Sequence, residues 1–495
     1  MGSENLSINL SLVSHTNVGK TTLARTLLKK DIGEIGDRPH VTALPEPHLL
    51  IGDLKSDSLT LWDTPGFGDS VRLAKRLSQR GNPIGWFLSE VWDRWMSRPL
   101  WSSQQAMKNV REQADVVLYL VNASESPSAA AYVEAEMQIL SWVEKPVLVL
   151  LNQMGKPRPK EDEEKDQAAW CRYMDRFPFV SGVLPLDAFA RCWIQEIALF
   201  EAISEAIPNS KKAVFKSLQA AWSAERINAY RLSVAAIGKF LAALAADAEH
   251  FESDGLTGKF KAIGRKFGWA DEKDMPPAAR AMERLAERAA VSMKSLTDQL
   301  IELNGLKGEA AREILNRVQQ DLSVNEEVSE GGAAVVGAVM SGALSGLVAD
   351  LWSGGLTLGT GAIAGAVLGG LGFAGAAKGY NLLTGKDGTV VRWNQDSIDR
   401  FFSDILLLYL AVAHFGRGRG EWSRSEHPEH WRSVVQQVIE DDSADLPKIA
   451  QGGAPKDSGS LEEEFSRCAS WAIECVLSNL YPEVKLPKSE SSRLS

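Results

Sequence analysis

Cysteine is scarce: the chain of 495 residues has four, Cys171, Cys192, Cys468 and Cys475. None forms a Cys-x-x-Cys pair and none stands beside histidines at metal-ligand spacing. This excludes a disulfide-stapled scaffold and a local zinc motif, and points to reduced thiols in a cytoplasmic protein. An excess of positive charge is also lacking. Lysine and arginine number 54 against 64 acidic residues, a net charge of −10, so no nucleic-acid partner is expected. The start of the chain, Met1–Leu10, has no basic stretch leading into an apolar one, so no cleaved leader is expected. Leu6 stands where N-myristoylation favours Ser or Thr, so no lipid is expected at Gly2.

The sharpest absence is local. From Gly331 to Ala377 there is no lysine or arginine, and Asp350 is the only charge. Gly-x-x-x-Gly spacing recurs there at Gly342/Gly346, Gly355/Gly359, Gly361/Gly365 and Gly365/Gly369. Glycine weakens a water-exposed helix by about 1 kcal/mol relative to alanine, so this density needs a packing reason. Close helix–helix approach is one, and membrane helices use it. Residues 331–349 would span roughly 28 Å as a helix, near the thickness of a bilayer core. The expectation is a glycine-rich apolar hairpin over 331–382, with Asp350 at its bend, meeting through residues 331–377 either the inner face of the cell membrane or a second copy of the chain as a homodimer. A glycine-packed hairpin inside a soluble domain is the alternative.

What is present organises the rest. Hydrophobic residues make up 44% of the chain, enough for several cores, and the length suggests roughly three domains. Over 1–210, short apolar runs (LSINLSLVS, SLTLWDTPG, ADVVLYLVNAS, KPVLVLLNQMG, FVSGVLPLDA) alternate with helical patterns. This predicts an α/β domain, a mostly parallel sheet with helices on both faces and its polar strand ends gathered at one crevice. A Trp-rich insertion over about 70–112 carries Trp86, Trp92, Trp95 and Trp101 and is expected to be a helical flap packing its tryptophans inward, with a partner- or membrane-contacting surface as the alternative. Residues 211–330 read as long helices, and 383–495 as a further helical region ending in a disordered tail.

Between the first strand and the first helix stands Ser14-His15-Thr16-Asn17-Val18-Gly19-Lys20-Thr21, followed by Thr22. It is the phosphate-loop pattern G-x-x-x-x-G-K-[ST] with serine in place of the first glycine. Such a loop works through backbone N–H groups at a helix N-terminus, a lysine on the outer phosphates, and a hydroxyl, here Thr21, on Mg²⁺. A second strand, 43 residues beyond Lys20, ends in Asp63-Thr64-Pro65-Gly66. Asp63 is placed to hold Mg²⁺ and the Gly66 N–H to meet a γ-phosphate. Thr42 lies between the two motifs, where a loop would close over the metal.

These residues resemble the translation-factor-related P-loop GTPases, in particular the Era-like branch. The resemblance implies a GTP-binding switch with Mg²⁺ on Thr21, Thr42 and Asp63, and catalysis drawing on Lys20, Thr42, Gly66 and Asn17. In some Era-like relatives an asparagine at the position of Asn17 coordinates K⁺; Asn17 is equally a loop-stabilising residue. Phe67 follows Gly66 where Ras-like enzymes carry a water-orienting glutamine, which implies slow hydrolysis. The base-reading Asn-Lys-x-Asp stands here as Asn152-Gln153-Met154-Gly155. Asn152 matches, Gln153 and Gly155 depart, and guanine preference should weaken; Asp187 is a substitute base contact or a helix cap. Over the full chain, the phosphate loop, the Asp-Thr-Pro-Gly turn, the LDAFARCW stretch and the glycine-rich segment resemble a bacterial GTPase-related family with a C-terminal domain of unknown function. A degenerate, non-hydrolysing nucleotide module and an NTPase without guanine selectivity remain the alternatives.

Overall fold

Among the described residues, the five apolar runs and one further segment form the strands of one sheet: β1 (Ser7–Ser14), β2 (Glu46–Gly52), β3 (Ser58–Asp63), β4 (Val116–Asn122), β5 (Val147–Asn152) and β6 (Val180–Pro185). The computed structural model describes residues 5–29, 32, 44–53, 55–78, 85, 98–152, 160–186, 192–251, 277–306, 335–337, 339–340, 343–344, 379–385, 388–414, 428–441, 446–448, 458–482 and 484. The strand order is β2-β3-β1-β4-β5-β6. All neighbours run parallel except β2, which is antiparallel to β3 at the edge. The apolar residues of β4 and β5 before their terminal asparagines are all buried, as a sheet covered on both faces requires. β1 lies between β3 and β4, so the chain order reverses around it, and groups at its carboxyl end meet in a crevice. The edge strand β2 is a difference from the sequence reading. Its run Glu-Pro-His-Leu-Leu-Ile-Gly has neither clean alternation nor a buried face to betray it.

Among the described residues, six helices accompany this sheet: α1 (Lys20–Leu28), α2 (Ser70–Leu77), α3 (Arg98–Glu112), α4 (Ala131–Ser141), α5 (Lys160–Met174) and α6 (Trp193–Ala206). α2 starts at Asp69, whose carboxylate accepts from the Arg72 N–H. It buries Leu73, Ala74 and Leu77 beside Phe67 and packs against α4, leaving Val71, Arg72 and Lys75 exposed. At Gly68 an added Cβ would collide with Pro99 at the head of α3. The Gly68 N–H donates to Ser103 Oγ at 3.1 Å, and that hydroxyl donates to the Pro99 carbonyl at 2.8 Å. The chain therefore leaves the site at Gly68 and returns to the same place at Pro99. Of the insertion's tryptophans, Trp86, Trp92 and Trp95 lie outside the described residues; Trp101 is half-buried on α3.

The chain divides into two compact units, Met1–Ile227 with His414–His427, and Asn228–Ala413 with Pro428–Ser495. The boundary falls inside α7 (Lys212–Ala246). The second unit contains α8 (Pro277–Leu303), α9 (Gln395–Ala413), α10 (Pro428–Asp441) and α11 (Ser458–Leu480). It also contains a small antiparallel sheet that the sequence reading did not include: β7 (Ala248–Phe251), β8 (Tyr380–Gly385) and β9 (Gly388–Trp393), ordered β7-β9-β8. Trp393 joins this sheet to the helices, with ring centroids 4.6 Å from Tyr380 and 5.3 Å from Phe401. At Gly238 on α7 a Cβ would run into Ser466 and come within 2.9 Å of the Glu462 carbonyl, so glycine is what lets α11 lie this close. Among the described residues, α7 is the one helix long and apolar enough to cross a membrane, and 56% of its most apolar stretch is buried within the protein, as in a core helix. The expected glycine-rich hairpin over 331–382 falls almost wholly outside the described residues; Val335, Val336, Val339, Met340, Ala343 and Leu344 are buried.

Candidate functional site

The site is built on the carboxyl ends of β1 and β3. β1 ends at Ser14, and the next five residues turn the chain into α1. Two of them need unusual backbone: Asn17 has φ 64° and Gly19 φ 95°. Glycine takes that conformation freely and asparagine is among the few residues that tolerate it. Ser14 is not in the left-handed region, so serine replaces the usual glycine there without strain. It also gains a role that glycine could not have. Its buried hydroxyl accepts from Lys20 Nζ at 2.9 Å and donates to the His15 carbonyl at 2.5 Å. Lys20 also reaches the His15 carbonyl at 3.4 Å.

The Asp-Thr-Pro-Gly turn is sewn to this loop. Thr64 Oγ1 donates to the Leu12 carbonyl at 2.5 Å. The Phe67 N–H donates to the Ser14 carbonyl at 2.9 Å, and the Thr16 N–H to the Phe67 carbonyl at 3.3 Å. These bonds bring Thr21 and Asp63 together: Thr21 Oγ1 donates to Asp63 Oδ2 at 2.7 Å. A hydroxyl beside a carboxylate is an all-oxygen, hard-donor pair that suits Mg²⁺, so the residues present fit that ion. Gly66 faces the loop, where a Cβ would stand 3.0 Å from Thr16 Cα and 3.1 Å from Lys20 Nζ. Phe67 turns the other way and is wholly buried in the core.

Lys20 is 7% exposed. Burial pulls its ammonium from the ordinary 10.5 down to about 8, against the opposing attraction of Asp63 and then Glu136. Loss of solvent, not lack of a carboxylate, is what lowers it, and an anion beside the ammonium would favour its charged form. Asn152, at the end of β5, donates from Nδ2 to the Val18 carbonyl at 2.6 Å and is fully buried. It thus ties the end of β5 to the phosphate loop. Thr22 packs inside α1, and its carbonyl accepts from Thr26 Oγ1 at 2.8 Å.

The fold thus brings together Ser14, His15, Thr16, Asn17, Val18, Gly19, Lys20, Thr21, Asp63, Gly66 and Asn152. Thr42, Gln153 and Asp187 lie outside the described residues. Sequence reasoning missed one part of the neighbourhood, Glu136 on α4, which binds His15. Its signal was there: Glu136 shares the inward face of α4 with Val133 and Leu140, a helical spacing that buries it.

Comparison with known families fits this arrangement. Residues 9–153 match the family model described as 50S ribosome-binding GTPase. Among solved structures, the chain is similar to Era in complex with MgGDPNP and a segment of 16S ribosomal RNA, at 18% identity over 42% of this chain and 58% of that one, with a TM-score of 0.31. An Aquifex aeolicus Era variant bound to GDP and AlF4⁻ matches at 20% identity over 41% of this chain and 57% of that one, TM-score 0.29. A bacterial selenocysteine-specific elongation factor matches at 14% identity over 36% of this chain and 25% of that one, TM-score 0.22. The chain thus spans a little over half the length of the Era chains it matches. Its first domain is a P-loop GTPase domain, a type that binds GTP with Mg²⁺. Residues 173–471 match the model of a domain of unknown function, DUF3482. Since that match covers more than half of the sequence, the chain belongs to the DUF3482 family, with a P-loop GTPase domain at its N-terminal end.

Proposed function

We propose that the protein is a GTP-binding switch with slow, Mg²⁺-dependent hydrolysis, whose nucleotide state is read by the helical C-terminal region. The observation that carries this reading is the convergence of Lys20, Thr21 and Asp63 at the ends of β1 and β3, with Thr21 and Asp63 2.7 Å apart. A domain relieved of nucleotide would have no need to bury an ammonium and a carboxylate in one site.

Each residue has a part. The loop N–H groups and Lys20 bind the phosphates, whose charge favours the ammonium form that burial disfavours. Thr21 and Asp63, with Thr42, would hold Mg²⁺, which when bound supplies positive charge to the outer phosphates. Gly66 offers its N–H to the γ-phosphate, and because the tryptophan-rich insertion begins directly after Gly68, nucleotide state would move it. Hydrolysis should be slow. Phe67 is apolar and buried in the core, so it neither orients nor activates water. Asn17, in the middle of the loop, would be the residue to coordinate a K⁺ ion as the missing positive charge, as the resemblance to some Era-like relatives implies.

The burial of Phe67 favours a second reading, a nucleotide-binding module that does not hydrolyse. Gly155, in place of the aspartate that selects guanine, leaves a third, an NTPase without base preference. Turnover of GTP and ATP side by side, in K⁺ and then in Na⁺, separates them. GTP turnover that rises in K⁺ supports the switch and Asn17. Equal turnover of both bases makes it a general NTPase. Tight binding without turnover gives the module, and no binding ends the nucleotide reading.

For residues 331–377 the proposal is contact with the inner face of the cell membrane, or with a second copy of the chain. Flotation with liposomes tests the first, with and without residues 331–380: intact protein that stays at the bottom in every nucleotide state rules it out.

A further inference from the structure

Glu136 stands apart among the buried polar groups. It lies on α4 with Val133, Met137 and Leu140, and like them it is shut off from solvent. A carboxylate in such surroundings is costly unless donors serve both of its oxygens. Two do. Tyr119, in the middle of β4, donates its hydroxyl to Oε2 at 2.6 Å. Burial, reinforced by Glu136, pushes the Tyr119 phenol well above its usual range, so it stays a donor. His15 Nδ1 lies 2.7 Å from Oε1, and against a carboxylate this nitrogen carries the proton. The His15 ring also stacks on Tyr132 of α4, with centroids 4.5 Å apart and planes at 28°.

The two donors come from different parts of the domain. Tyr119 belongs to the sheet and would be in place whatever the phosphate loop did. His15 belongs to the loop, so the second oxygen is satisfied only when the start of the loop lies against α4. The backbone on either side is held as well, Ser14 and Thr16 both pairing with Phe67. Fixing the ring therefore fixes the peptide whose carbonyl receives Ser14 Oγ and Lys20 Nζ, and from which the chain enters the turn at Asn17.

We infer that Glu136 is a positioning residue of the phosphate-binding site, acting through His15 to hold the start of the loop in its binding conformation. The inference rests on the nucleotide-binding reading above. It does not make either side chain a ligand of the nucleotide.

The test separates positioning from mere stability. His15→Ala leaves a buried carboxylate short of a donor, so it weakens the fold as well as the site. The triple variant His15→Ala, Glu136→Met, Tyr119→Phe removes all three polar partners together, and such wholesale apolar replacement is close to neutral for stability. Full-length proteins are titrated with a fluorescent GDP analogue and Mg²⁺, and their urea midpoints are measured in parallel. Positioning predicts that the triple variant recovers the midpoint but still binds about tenfold more weakly. It also predicts that His15→Asn, whose amide N–H reaches the same oxygen, binds within about threefold of the unmodified protein. A triple variant that binds like the unmodified protein overturns the inference. Should that variant not fold, equal affinities of His15→Ala and His15→Asn overturn it instead. If the unmodified protein binds no nucleotide, the nucleotide reading falls and the positioning role with it; if it binds and His15→Ala binds equally well, only the positioning role falls.

Discussion

Replacing Lys20 with methionine should make the nucleotide-free domain more stable while destroying its site. Methionine keeps the length and flexibility of the lysine stem without the charge. In the folded chain the Lys20 ammonium is lowered from 10.5 to about 8, chiefly by burial. At about 1.36 kcal/mol per pH unit, holding the charged form inside costs on the order of 3 kcal/mol at neutral pH. Lys20 is 7% exposed, so solvent screening removes little of this. Ser14 Oγ and the His15 carbonyl lose a donor in the variant, which offsets about 1 kcal/mol. The expected net gain is about 2 kcal/mol at pH 7. The pH dependence follows with its sign. Below about pH 8 both folded and unfolded chains hold the proton, so the penalty is present in full. Between about 8 and 10.5 the unfolded chain binds more protons than the folded one, and stability rises with pH until the penalty is gone. Urea unfolding of both proteins at about pH 7 and about pH 10 measures this. The methionine variant should lead at the lower pH and lose its lead at the higher one. A variant less stable than the parent at pH 7, or a gap independent of pH, would refute the reasoning. Added Mg²⁺ and GTP should reverse the order, because only the parent gains from binding.

Gly66→Ala pushes a methyl to 3.0 Å from Thr16 Cα and 3.1 Å from Lys20 Nζ; nucleotide affinity should fall about tenfold with little change in the unfolding midpoint, and unchanged affinity would contradict the placement. Gly238→Ala forces a Cβ onto Ser466 and the Glu462 carbonyl, and should destabilise the second unit by about 1–3 kcal/mol by overpacking, visible in its hydrogen exchange but not in nucleotide binding. Asp404, on α9, has its carboxyl pushed above the ordinary 3.8 by burial, with Arg400 and Arg432 pulling the other way. The folded chain then binds the extra proton above pH 3.8, so this residue's contribution to stability falls as pH rises from there. Asp404→Asn should remove that slope and be neutral or stabilising at pH 7; a large loss in the melting curve would show that the two arginines outweigh burial.

The strands that carry the site were legible because each is a buried apolar run that stops at a polar residue, as at Asp63 and Asn152. The loop was legible because Gly-Lys-Thr needs its spacing to work. What escaped depends on contacts far apart in sequence. Glu136 and His15 are 121 positions apart, and no local pattern pairs them. The role of Ser14 was hidden for a different reason: the missing glycine reads as a loss, whereas the hydroxyl adds a partner for Lys20. β2 escaped as an edge strand with one open side, and the β8–β9 pair because its short runs stand between a glycine-rich segment and a long helix.

The meeting of Gly68 with Pro99 has an evolutionary meaning. A stretch that departs and rejoins at one point can be lengthened, exchanged or lost without moving either end of the scaffold, which is how domains acquire inserted modules. Selection on the tryptophan-rich stretch is thereby uncoupled from selection on the loop and the sheet. Relatives should differ most in length and composition between the end of α2 and Pro99, since α2 itself is held in the core by Leu73, Ala74 and Leu77, while a residue larger than glycine at Gly68 should be purged, because it would break the seam on which that freedom depends.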